Sequence, residues 1–119
     1  MTLQECYAAL GGDYEGVLGR LHSEKMLQKF VLKFLNDPSF ELLCTSMASE
    51  DYSEAFRAAH TIKGVCQNLD FTTLYKSSAE LCESLRNGCS PESPALFEQV
   101  QADYKLTADA IQAFKDSLV

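Results

Sequence analysis

The chain has 119 residues, enough for one self-sufficient core and too few for a second catalytic domain. Lys and Arg number 10 against 17 Asp and Glu, a formal charge of −7, which argues against nucleic acid as a partner. No apolar run approaches the roughly 20 residues that cross a bilayer, no signal peptide is visible after Met1, and the five cysteines are odd in number without a CxxC pair. The reading is one cytoplasmic domain over residues 1–119 in a reducing compartment, with no membrane and no metal site of its own.

The three prolines and six glycines fall mostly between periodic segments, as expected of helices joined by short connections. Thr2 and Glu5 are spaced as a capping box for a short first helix that stops near Gly11 and Gly12. A second short turn starts at Asp13. Ser23 is an N-cap for a helix over 24–36, whose Leu27, Phe30, Val31, Phe34 and Leu35 recur at steps of three and four and which Asn36-Asp37-Pro38 ends. From Ser39 the residues Phe40, Leu43, Cys44 and Met47 predict another amphipathic helix, and Asp51 with Glu54 opens the next.

That next helix, about Tyr52 to Leu69, is the informative one. Tyr52, Ala55, Phe56, Ala59, Ile62, Cys66 and Leu69 fall on one side of a helical wheel and make the core stripe. His60, Gly64, Gln67 and Phe71 cluster roughly 120° or more from the centre of that stripe, with Lys63 at the border. Asp70 and Thr72 are expected to cap a following helix carrying Leu74, Ser78, Leu81, Cys82 and Leu85, which Asn87-Gly88 ends. Ser93 and Pro94 then read as N-cap and first-turn proline of a long final helix reaching nearly to the C-terminus. The predicted fold is all-α, an antiparallel, up-down bundle of four main helices preceded by one or two short ones.

Of the two histidines, His22 sits at a helix boundary without chemical company, whereas His60 has it. Lys63 lies one turn along the surface, and Gly64 leaves bare backbone beside the imidazole. A glycine inside a helix costs on the order of 1 kcal/mol against alanine, and close approach of another protein would give it a reason. A solvent-facing imidazole is mostly neutral near pH ~7, so one ring nitrogen keeps the lone pair that attack on phosphorus requires. The Lys63 ammonium is expected to offset the charge of a phosphoryl group on the ring.

The run Ala58-Ala59-His60-Thr61-Ile62-Lys63-Gly64, followed by Asn68-Leu69, Leu74, Leu81 and Arg86, resembles the histidine phosphotransfer (HPt) domain family of multistep phosphorelays. The similarity extends over most of the chain, through Leu18, Phe30, Phe34, Leu35 and Asp51-Tyr52. The resemblance implies that His60 is the phosphoacceptor, that Lys63 steadies the phosphoryl group and that Gly64 makes room for a receiver domain. It also implies as partners response-regulator receiver domains, which bring the Mg²⁺, and a hybrid histidine kinase; no cofactor of the chain's own is expected, and a monomer is the expected state. Gln67 and Phe71 are expected in the docking patch, the alternatives being a merely solvated glutamine and a phenylalanine that caps the core.

Two positions depart from the family pattern. Many relatives carry glycine where this chain has Asp70, a matter of the turn alone. Many also carry Gln or Glu where Cys82 stands, holding the second imidazole nitrogen. Cys82 is a poor hydrogen-bond partner, and Ser78, one turn earlier, is the candidate for orienting the ring in its place. Three functions remain open on sequence: a phosphotransfer intermediate without ATP chemistry of its own, a receiver-binding module that transfers nothing, and, with least support, a hydrolase using His60 as a base without any accompanying nucleophile motif.

Overall fold

A computed structural model describes residues 1–118; Val119, the last residue of the predicted domain, lies outside them. Among the described residues the chain forms seven helices and no strand: α1 (Leu3–Leu10), α2 (Tyr14–Leu21), α3 (Glu24–Phe34), α4 (Ser39–Ala48), α5 (Tyr52–Leu69), α6 (Thr72–Ser84) and α7 (Ser93–Asp116). The helix starts follow local chemistry. Thr2 and Glu5 close the expected capping box, while Asp13, Ser23 and Asp51 each accept a backbone N–H from the third residue on. The second short turn is thus a complete helix, α2.

Two predicted caps are corrected. Asp70 does not start α6 but ends α5, in the left-handed conformation with φ 54°, and α6 begins after Phe71 without a side-chain cap. Ser93 is the first residue of α7 rather than its cap. Its hydroxyl meets those of Ser84 and Ser90, 3.0 Å from each, and so ties the end of α6 to the start of α7.

α5 packs between α4 and α6, α6 lies against α7, and α1 lies on α7. The close packing of α5 is permitted by its small residues Ala55, Ala58 and Ala59, all buried, with Ile62, Cys66 and Leu69 completing the face. An aromatic cluster fills the end of the core near the α5–α6 turn. Phe71 is 0 % exposed there, its ring 5.5 Å from Tyr7 and 5.2 Å, edge-on, from Phe34.

The same turn is tied down by the N-terminal segment. The Tyr7 hydroxyl donates to the Leu69 carbonyl at 2.7 Å, the Asp13 N–H to Asp70 O at 2.9 Å, and both the N–H and the hydroxyl of Thr73 donate to Gly11 O at 3.0 Å. Arg20 donates to Asn68 O at 3.0 Å and pairs with the Asp70 carboxylate at 2.7 Å. Gly12 fits this junction only because it lacks a side chain: a Cβ there would stand 2.7 Å from Asp70 O and 2.8 Å from the Tyr7 ring.

Candidate functional site

His60 is exposed on the outward face of α5, next in sequence to the buried Ala58 and Ala59. In an α-helix a side chain leans towards the N-terminal turn, so the imidazole is directed back over residue 56. There it meets the half-buried ring of Phe56, with centroids 6.2 Å apart and planes inclined by 20°. On the other side, at Gly64, a Cβ would meet nothing within 4 Å. The glycine is therefore not required by packing inside this chain, and it leaves the C-terminal approach to the imidazole open.

The flank of the site is the seam between α5 and α6. Arg86, just past the end of α6, holds its guanidinium carbon 5.5 Å from the Phe56 ring centroid. The same guanidinium is tethered to Glu83 through two contacts, of 3.1 Å from Nε and 3.0 Å from Nη2. Cys82 is buried in the seam, where burial pushes its thiol up and the positive charges of Lys63 and Arg86 pull it partly back. Both cations thus act on the strip of surface next to His60. The Cys82 thiol lies 4.0 Å from the Phe56 carbonyl, and among the described residues no hydrogen bond reaches the imidazole.

The predicted site residues separate into two groups. His60, Lys63, Gly64 and Gln67 share one accessible face of α5, with His60 and Gln67 exposed and Lys63 and Gly64 half-buried. Phe71 and Ser78 do not belong to it. Phe71 lies in the core, because Asp70 turns the chain before residue 71 could continue the helical wheel. Ser78 is 0 % exposed and its hydroxyl is spent on its own helix, donating to Leu74 O at 2.7 Å with Tyr75 O at 3.1 Å. It has no donor left for the imidazole.

Phe56 and Arg86 are what the sequence reading missed. Phe56 packs against the core as the stripe predicts, and its spacing of four residues from His60 is the signal that its ring also faces the imidazole. Arg86 reaches the site only through the packing of α6 on α5, which no local pattern encodes. Sequence reading also missed a groove of about 500 Å³ beside this face, walled by Leu21, Phe30, Phe34 and Pro38 and, from α5, by Val65 and Asn68.

The family model of the Hpt domain matches residues 25–115. The chain belongs to the Hpt domain family. No curated protein and no solved structure shows significant similarity to it. Hpt domains are histidine phosphotransfer modules of phosphorelays that meet response-regulator receivers, and they carry phosphoryl groups rather than act as kinases. An all-helical bundle is the family's architecture, and among the described residues no helix is long and apolar enough to cross a membrane. Residues 1–24, with α1 and α2, lie outside the match and form the brace on the α5–α6 turn.

Proposed function

We propose that this Hpt domain is a cytoplasmic, monomeric phosphocarrier in which His60 takes a phosphoryl group from one receiver aspartate and gives it to another. The observation that carries this reading is the placement of His60: a solvent-facing imidazole backed by Phe56, flanked by Lys63, with unobstructed space at Gly64. A ring nitrogen attacks phosphorus as the aspartyl acyl-phosphate bond breaks. The carboxylate leaves on the donor, the other ring nitrogen gives up its proton to solvent, and the reverse sequence discharges the group onto the second receiver. Transfer of this kind depends on alignment and on charge balance. Lys63, one turn along α5 on the same accessible face, supplies positive charge near the ring, and the Mg²⁺ for the transfer would come with the receiver. A hybrid histidine kinase is the proposed source of the phosphoryl group.

The groove next to the histidine face supports a receiver as the occupant of that side, since Val65 and Asn68 follow directly on Gly64 and Gln67 along α5. Phe30, exposed on its rim, offers the apolar contact. The test is transfer from an acetyl-phosphate-charged receiver to this chain, with His60→Gln as control. Acid-labile, base-stable label on the wild type and none on the variant is the expected result. Absence of label with receiver binding intact would leave a binding module that transfers nothing.

A further inference from the structure

A phosphoaccepting imidazole has to be held in one orientation, and a hydrogen bond to its second nitrogen is the usual means. Here that means is missing among the described residues: Ser78 is bonded within its own helix, Cys82 faces the Phe56 carbonyl, and no other donor or acceptor reaches the ring. What does face the ring is Phe56. Its centroid separation of 6.2 Å and inclination of 20° are those of an offset stack. Phe56 is itself restrained, because the guanidinium of Arg86 lies 5.5 Å from its centroid and is tethered in turn to Glu83. The chain Glu83, Arg86, Phe56, His60 links the end of α6 to the reactive side chain through ring faces and charge.

We infer that Phe56 is the positioning residue of the His60 imidazole, aligning it by stacking instead of by a hydrogen bond, with Arg86 pinning the aromatic ring. The inference rests on the phosphocarrier reading of His60. Its chemical consequence is specific. A stacked ring is restrained in its plane while both nitrogens stay open to solvent and partner, so the attacking nitrogen is presented without its tautomer being fixed by the protein. The stack also occupies the N-terminal side of the imidazole, so that a receiver has to come in over Gly64.

The test compares Phe56→Leu, which keeps an apolar side chain and removes the aromatic face, with Phe56→Tyr, which keeps the face. Two readouts are taken on the full chain: the ring-proton resonances of His60, and the single-turnover transfer rate at saturating charged receiver alongside the receiver Kd. In Phe56→Leu the ring-current displacement of the His60 protons should vanish and the rate should fall by about fivefold, with Kd unchanged, as loss of one aromatic pair implies. Phe56→Tyr should restore both. Unchanged His60 resonances in Phe56→Leu would overturn the inference, as would a Tyr variant as slow as the Leu variant, which would mark Phe56 as filler of the seam. If the wild type takes no label at all, the phosphocarrier reading falls, and the resonances alone decide whether the stack exists.

Discussion

The C-terminal end of α5 and its middle, where His60 stands, are built on opposite rules. At its C-terminal end the Leu69–Asp70 turn is fastened by Tyr7, Asp13 and Arg20 and closed over a buried aromatic cluster. Around His60 the helix carries a side chain with no hydrogen bond among the described residues and a glycine with open space beside it, and the neighbouring Arg86, past the end of α6, is tethered only at the surface. The contrast shows how one helix serves both as scaffold and as site. A surface that must admit another protein cannot be stabilised by its own contacts, so the fastening is placed where nothing has to approach.

Substitutions at the turn are therefore expected to cost stability without affecting transfer per folded molecule, and substitutions around His60 to do the reverse. The largest expected effect is that of Phe71→Ala, which should lower unfolding free energy by about 3–5 kcal/mol in a urea titration. A receiver-docking role for Phe71 would instead show as weakened binding with stability intact. Tyr7→Phe removes the donor to the Leu69 carbonyl and should cost about 1–2 kcal/mol in the same measurement. Gly64→Ala separates the two rules within one variant. It should stabilise the free protein by about 1 kcal/mol, since nothing obstructs the methyl group, while slowing transfer on the order of tenfold. Equal transfer rates for Gly64→Ala and wild type would break the claim that the bare backbone serves the partner.

The smallest effects concern the thiols. Burial pushes Cys6 up to about 11 and Cys66 up to about 12, while Cys89 is exposed. Cys89 should therefore be modified first by a thiol reagent, with Cys6 and Cys66 protected until the chain unfolds. Because the folded state keeps these two thiols protonated, their contribution to stability is complete below the ordinary thiol range. It is lost as pH rises through that range towards the raised values, which an alkaline unfolding series can follow.

Much of this organisation is legible in the sequence because it is local. The Thr2–Glu5 box, the caps at Ser23 and Asp51, the core stripe of α5 and the outward direction of His60 all follow from spacing within a few residues. The misreadings share one physical cause, a non-local contact or a change of backbone direction. Extending the α5 wheel to Phe71 assumed that the helix continues, but the left-handed Asp70 ends it and sends the ring inward. Ser93 looked like a cap because the hydroxyls of Ser84 and Ser90 that occupy it are distant or outside the helix. Ser78 was expected to face His60, yet a serine buried in a helix bonds the carbonyl of the preceding turn. Arg86 enters the site through packing alone. Three of the five cysteines are the small buried apolar residues expected of them, Cys6, Cys66 and Cys82, whereas Cys44 is half-buried and Cys89 exposed.

The most direct test of the phosphocarrier account is a discharge experiment. The chain is phosphorylated from one charged receiver, the modified residue is located by fragmentation of the intact protein, and a second, uncharged receiver with Mg²⁺ is added. The account predicts one phosphoryl group on His60 that disappears as the second receiver gains it. A phosphoryl group on any other residue, or one that stays on His60 in the presence of every receiver it binds, would contradict it.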